Sequence, residues 1–550
     1  MNIRKAIISN FKCFEGDFSI EFNKNLNIIV GINETGKSTI LEAINLALSG
    51  WIYGKYLATE LSQSLFNSNT VSNYLDSVNK GNSVEPPTIL IELYFDIEDE
   101  SLKAEFEGNG NSRREEASGI QFKICFNERY RDQYRLLIES KEPISSLPIE
   151  YYDFGWSTFA RDETITPRGI PFKAAFIDSS NTRLQSGSDV YISRIIRDFL
   201  SEDYKIKISQ AHRKLKDVFM DSSSIKEVNK ELEQKQLSEK KVELSIEMST
   251  KNAWESSITT SLDDIPFSNI GKGEQCMIKT KLALSHKKAV EANIILLEEP
   301  ENHLAHGKLN ELLSFIKEKS PEKQVIVSTH NSFVANKLGL DNLILLNMDL
   351  ATKLRLQIRM NDLSAETKRY FEKLAGYDTL RLILTSCAIL VEGPSDELIV
   401  QKAFAKHNNG KLPIDKGIDV ISVGTSFLRF LEIADKLRKP VRVVTDNDRS
   451  YEIKVKKKYK QYENSKIITI YADSNDDLNT LEPQIVHANK DRLSDLRTVL
   501  GIGEEEYPDE KSISDYMHGN KTECALKLFE SEKDFIFPNY ILRAIGVDNA

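Results

Sequence analysis

The chain has 550 residues, room for three or four domains of ~100–200 residues each and for real hydrophobic cores. Hydrophobic residues make up 40% and charged ones 28%, ordinary globular usage that excludes disorder as the default. With 25 glycines and 15 prolines it is not collagen-like or linker-dominated. The net charge of −10 excludes a uniformly basic nucleic-acid binder, although a large enzyme can confine positive charge to one groove. No apolar run approaches the ~18 residues that cross a bilayer, and no secretory pattern opens the chain. Five scattered cysteines without a C-x-x-C argue against a disulfide framework or zinc ribbon and suit a reducing compartment. The expectation is a cytoplasmic, multidomain protein with no membrane partner.

In chain order, Phe18, Ile20 and Phe22 alternate with polar residues, as do Ile89, Ile91, Leu93 and Phe95, and then Phe122, Ile124 and Phe126. Period two predicts strands. Between the first two groups, Leu26–Val30 reads as a buried strand. It runs into Gly31-Ile-Asn33-Glu-Thr-Gly36-Lys37-Ser38-Thr39, a G-x-x-x-x-G-K-S loop opening onto a helical pattern through Ile40, Leu41 and Ile44. Its backbone N–H groups would wrap a β-phosphate at a helix N-terminus, Lys37 would reach the β/γ-phosphates, and the Ser38 hydroxyl would hold Mg2+.

From Ile192, Ile195, Ile196 and Phe199 the apolar spacing turns helical and continues loosely through Ile208, Leu215, Val218 and Phe219. Ser222-Ser-Ser breaks it before a charged helical stretch. The block reads as a helical insertion within an α/β domain. Strand runs return at Ile294–Leu297, Val325–Ser328 and Leu343–Leu346. The first of these ends in Glu298-Glu299-Pro300-Glu301. Carboxylates at a strand's C-terminal edge can manage Mg2+ and an attacking water: Glu298 would hold the metal and Glu299 would polarise the water. The second ends at His330, placed for a γ-phosphate contact.

A further α/β series begins near Leu382. Thr385–Val391 ends in Glu392-Gly393-Pro-Ser-Asp396, Val441–Thr445 in Asp446-Asn-Asp448, and Ile467–Tyr471 leads to Leu481-Glu482-Pro483. Three parallel strand ends can deliver these carboxylates to one edge as a divalent-metal cluster. Gly393 would allow a tight turn that lets Glu392 and Asp396 converge. Asp446 and Asp448 would point the same way if their strand extends that far. Lys454, Lys456, Lys457, Lys458 and Lys460 form a basic run that reads as a solvated face, with phosphate contact the alternative.

The first set of motifs resembles the ATPase heads of the ABC, SMC and RecF class. Ile8-Ser-Asn-Phe11-Lys-Cys-Phe14 looks like its opening strand, Glu298–Glu301 like its Walker B and D-loop, and His330 like its switch histidine. Gly271-Lys-Gly273-Glu-Gln275 stands where the class has its signature segment, without the usual serine. By that resemblance Gly271 and Gly273 complete an ATP site in a partner subunit, which implies a homodimer or larger even homo-oligomer. The cofactor-binding set is then Gly31, Asn33, Gly36, Lys37, Ser38, Thr39, Gly271, Gly273 and His330. The about 230 residues between Gly36 and Gly271 lack the sustained heptads of SMC arms.

The E-G-x-x-D and D-x-D pair resembles the Toprim domain. An ABC head joined to a C-terminal Toprim resembles the OLD (overcoming lysogenisation defect) family of ATP-dependent endonucleases, with Gly519–Ala525 and Phe537–Tyr540 similar to its C-terminal segment. The fold implied is α/β: an ABC-type P-loop ATPase domain with a helical insertion, then a Rossmann-like Toprim domain. The segments expected are 1–185 and 241–375 for the ATPase, 186–240 for a dimerising insertion built on Ile192, Ile195 and Phe199, and 376–550 for the nuclease. The resemblance further implies two-metal DNA cleavage with Mg2+ or Mn2+. Glu392, Asp396 and Glu482 would serve mainly one metal and Asp446 with Asp448 the other, with Glu392 alternatively a base and Lys521 stabilising charge on phosphorus. It also implies a role in bacterial defence against phage, alone, with a helicase as in Gabija systems, or with a retron reverse transcriptase and its RNA–DNA. The competing expectation is a RecF-like, ATP-gated DNA-binding scaffold in repair.

Overall fold

The computed structural model describes residues 1–31, 34–139, 143–178, 202–234, 242–244, 261–285, 293–319, 321, 323–348, 355–360, 363–373 and 378–547. Asn33, Ile192, Ile195 and Phe199 lie outside the described residues. The chain divides into two compact units, Met1–His330 with Leu346–Gln357, and Asn331–Leu345 with Ile358–Ala550. The second unit thus takes in residues ahead of position 376, because the helices Ser332–Leu338, Ala365–Lys373 and Asp378–Leu384 pack together there.

Among the described residues, the first unit holds one six-stranded sheet whole and most of a second. One runs in the order Asp17–Glu21, Asn2–Ser9, Ile89–Asp96, Ala117–Phe126 and Glu107–Gly108, with Tyr152–Thr158 also paired to Ala117–Phe126. Register sets Phe18 opposite Ile8, Ile8 opposite Ile91, Ile91 opposite Phe122 and Phe122 opposite Trp156. All five are buried. Directly opposed residues share a face, so this row is a cross-strand apolar stripe, and the alternation at Phe18 and Ile20 is its sequence trace.

The other sheet has the order Ala174–Asp178, Ile294–Glu298, Gln324–Thr329, Leu26–Gly31, Leu343–Met348 and Arg355–Arg359, the first four joined as parallel neighbours. Every residue of Leu26–Gly31 is buried, as parallel strands covered on both faces require. The helix Lys37–Ser49 packs on strands of both sheets and buries Ile40, Leu41, Ile44 and Leu46 completely. The charged insertion forms the helices Glu202–Met220 and Ser223–Gln234, broken at Asp221 and Ser222; Leu215, Val218 and Phe219 are exposed on the first.

In the second unit four parallel strands run in the order Ile418–Ser422, Cys387–Val391, Val441–Val444 and Ile468–Tyr471. The chain goes to one side of Cys387–Val391 and then crosses to the other. The connections therefore leave in opposite directions and open a crevice at the strands' carboxyl ends. Glu392 and Asp446 follow those ends.

Candidate active sites

In the first unit the strand Leu26–Gly31 ends below the helix Lys37–Ser49. Gly36, the residue before that helix, has φ 102°, and an added Cβ would stand 2.7 Å from the Phe14 ring and 2.9 Å from Cys13 Sγ. Only glycine fits both constraints. Lys37 Nζ donates to the Gly31 carbonyl at 2.9 Å and is buried, which lowers its pKa, while Glu299, Glu301 and Glu298 oppose that shift. The P-loop lysine and the acidic strand end are therefore neighbours, although far apart in sequence. Ser38 is exposed and Thr39 buried, its hydroxyl 3.5 Å from Cys13 Sγ.

Glu298 is the buried last residue of its strand. Glu299 sits at φ 43° and donates its backbone N–H to the Ser328 carbonyl. Its Oε2 accepts from Asn302 Nδ2 at 2.9 Å, and its Oε1 is 3.2 Å from His330 Nδ1. Glu301, which sequence reading left without a role, is buried beneath the pair: its Oε1 accepts the Thr329 hydroxyl and, at 3.3 Å, the His330 N–H, and burial raises its pKa.

Arg355 was missed too. Its guanidinium donates to the carbonyls of Thr35 at 3.2 Å, Glu34 at 3.4 Å and Cys13, and lies 5.5 Å from the Phe14 ring centroid. It braces the P-loop from about 320 positions away, which no local motif could signal. Gly271 immediately precedes the helix Lys272–Ser285 and Lys272–Gln275 open its first turn, with the Glu274 and Gln275 N–H groups bonded to the Gly271 carbonyl. Gly273 is pressed against the His303 carbonyl, 2.3 Å from where a Cβ would be.

In the second unit Glu392 Oε1 accepts the Thr445 hydroxyl at 2.9 Å and the Asp446 N–H at 3.3 Å. Gly393 is extended at φ −148°, so the tight turn expected there is not made. Asp396 instead approaches as a helix cap, its Oδ2 accepting the Gly393 N–H at 3.0 Å. The strand before Asp446 stops at Val444, and Asp448 sits at φ 48°, paired with Lys454 at 3.5 Å. Alternation along a strand therefore does not align Asp446 with Asp448. Glu482 is buried; its Oε2 accepts the Thr480 hydroxyl at 2.9 Å, and its Oε1 lies 3.3 Å from Lys521 Nζ. His518 Nδ1 is 3.7 Å from Glu482 Oε2, a neighbour without a sequence signal.

Burial and then the field of Glu392 raise Asp396 to about 7. Burial, with the fields of Asp396, Glu392 and Glu482, raises Asp446 to about 9 against the opposing pull of Lys521. The Tyr540 phenol is buried near the same acids, chiefly Asp446 and Asp396, and pushed well above its ordinary range. Glu392, Asp396, Asp446 and Glu482 thus share one neighbourhood. Among the described residues, however, no three His, Cys, Asp or Glu side chains form a ready metal cage. Four of the acids are tied to local partners instead: Glu392 to Thr445, Asp396 to the Gly393 N–H, Glu482 to Thr480 and Lys521, and Asp448 to Lys454. By donor chemistry the set still fits a hard divalent cation, whose charge would relieve the repulsion that raises Asp396 and Asp446.

A family model described as an AAA domain matches residues 5–294, more than half of the chain, and one described as overcoming lysogenization defect protein-like, TOPRIM domain, matches residues 383–448. The chain belongs to the AAA-domain family and carries an OLD-like Toprim domain. This is the ATPase–Toprim arrangement of the OLD family, and the α/β fold class expected from the sequence holds. The chain is 43% identical over 61 residues to the DNA replication and repair protein RecF of Acetivibrio thermocellus, a match covering 11% of this chain and 16% of that relative. An SMC head bound to the C-winged helix domain of ScpA covers 66% of this AAA–Toprim chain and is itself covered over 99%, at 18% identity and TM-score 0.35. The C-terminal region of the Xanthomonas campestris pv. campestris OLD protein covers 30% and is covered over 92%, at 23% identity and TM-score 0.23. No helix among the described residues is long and apolar enough to cross a membrane.

Proposed function

We propose that this chain is a nucleotide-regulated, metal-dependent DNA endonuclease of the OLD type, acting in the cytoplasm as the effector of a bacterial defence against phage. It would work alone, with a helicase, or with a retron reverse transcriptase and its RNA–DNA. One observation carries the nuclease reading: Glu392 and Asp446 follow the ends of neighbouring strands at the sheet's switch point, Asp396 and Glu482 share their neighbourhood, and Lys521 stands 3.3 Å from Glu482. Glu392, Asp396, Asp446, Asp448 and Glu482 would hold Mg2+ or Mn2+. Bound there, the ions would supply a nucleophilic hydroxide and stabilise the leaving oxyanion. The chain's own groups prepare the site: Thr445 orients Glu392, Thr480 and Lys521 orient Glu482, and Lys521 offers its charge to a phosphoryl oxygen.

At the first site Lys37 and Ser38 would bind the triphosphate and its Mg2+ with Glu298. Glu299 would polarise the attacking water while His330, bonded to it, contacts the γ-phosphate. Two copies would close two ATP sites, the P-loop of one facing Gly271 and Gly273 of the other, and the ATP-bound arrangement would restrain DNA cutting. The RecF match favours a second reading, an ATP-gated DNA-binding scaffold with a structural Toprim domain. Nicking of supercoiled DNA by purified protein with Mg2+ or Mn2+, with and without ATP, separates the two.

A further inference from the structure

Lys458 differs from the other lysines of its run. Lys454 is paired with Asp448 at 3.5 Å and Lys456 with Glu452 at 2.9 Å, while Lys457 and Lys460 are exposed. Lys458 is half-buried where the π-helical turn Glu452–Lys457 ends. Its Nζ stands 5.4 Å from the Phe427 ring centroid and 5.0 Å from that of Tyr459. Both rings are themselves buried, so they fix the lysine stem in place. Among the described residues no carboxylate is within ion-pair distance of it, and the acids whose field it feels are Glu392 and Asp448, of the acidic site itself.

The two rings offset only part of the rotamer freedom and hydration that this lysine gives up, and an arriving anion would offset the rest. Lys521 approaches the acids from a separate segment, the helix Lys521–Glu530, and is paired there with Glu482 at 3.3 Å. Resting on the endonuclease reading above, we propose that Lys458 is a second phosphate-contacting cation of the Toprim site, holding a non-bridging oxygen of a DNA phosphodiester near Glu392 and Asp448. The phosphate would then be gripped by cations from two separate segments, while the acids between them serve the metal.

The test uses the full chain. Lys458→Met keeps an unbranched stem against Phe427 and Tyr459 but removes the charge; Lys458→Arg keeps the charge; Lys456→Met removes a solvated, ion-paired lysine from the same turn. DNA affinity is measured across salt concentrations and nicking kcat/KM at fixed Mn2+. Lys458→Met should lower kcat/KM on the order of 10- to 100-fold and flatten the logarithmic salt slope by about 0.9, one phosphate contact on duplex DNA. Lys458→Arg should recover most of both, and Lys456→Met should match wild type. If wild type nicks DNA and Lys458→Met does so equally well with the same slope, Lys458 only packs and the proposal falls alone. Equal losses in the Met and Arg variants at an unchanged slope overturn it as well. A wild type that neither binds nor nicks DNA overturns the endonuclease reading, and this inference with it.

Discussion

Lys521 Nζ lies 3.3 Å from Oε1 of Glu482, a carboxylate buried in the second unit and also bonded to the Thr480 hydroxyl. The lysine therefore both compensates a buried acid and presents charge at the site. Lys521→Ala should lower DNA cleavage on the order of 100-fold. Glu482 would also be left with one partner fewer, so Lys521→Arg should hold the fold while only partly restoring the rate. Cleavage by Lys521→Ala at the wild-type rate would reduce the pair to a structural one.

The raised pKa of Asp446 means that the metal-free fold keeps this carboxyl protonated at a pH where the unfolded chain would ionise it, which costs stability. Asp446→Asn should therefore raise the metal-free melting temperature by about 2–4 °C at pH 8. Wild type should gain stability on addition of Mg2+ or Mn2+ and lose it to a chelator, while the Asn variant gains less. Thermal melts with and without metal check this, and a wild-type melt indifferent to both ions would remove the metal from this site.

His330 Nδ1 is 3.2 Å from Glu299 Oε1, and Lys37 is buried in the field of Glu299, Glu301 and Glu298. Lys37→Ala should weaken both nucleotide binding and hydrolysis. Glu299→Gln should preserve binding and stop hydrolysis, because an amide cannot take the proton of the attacking water. If bound ATP restrains cutting, Lys37→Ala nicks faster than wild type at saturating ATP and Glu299→Gln slower. Equal nicking by all three would mean that nucleotide does not gate the nuclease.

Arg355 places its guanidinium on three carbonyls of Cys13, Glu34 and Thr35. Arg355→Ala removes those bonds and should cost about 1–3 kcal/mol of local stability. The expected reading is a raised KM for ATP with a smaller change in kcat. Lys does not rescue it, since one ammonium cannot replace a planar fork. An unchanged KM would show that the loop holds its shape without the brace.

Where the chemistry was contiguous, it was legible: Gly36 and Lys37 declare the phosphate loop because the loop is a local object, and the buried run before Glu298 declares its strand. Face and distance were less legible. Asp448 was aligned with Asp446 on the premise of a strand that stops at Val444. Asp396 reaches its neighbours by capping a helix rather than through a turn at Gly393. Arg355 was invisible because its partners lie hundreds of positions away, and Lys458 was indistinguishable from its run until Phe427 and Tyr459 were seen beneath it.

The most direct measurement is nicking of supercoiled plasmid by the purified chain in Mn2+ or Mg2+, beside the chelated control and the Asp446→Ala variant. A metal-dependent endonuclease at the Toprim site predicts nicking that requires the divalent ion and disappears with Asp446→Ala, while that variant still folds and binds ATP. Nicking undiminished by Asp446→Ala, or no nicking by wild type in either metal with or without ATP, would contradict it.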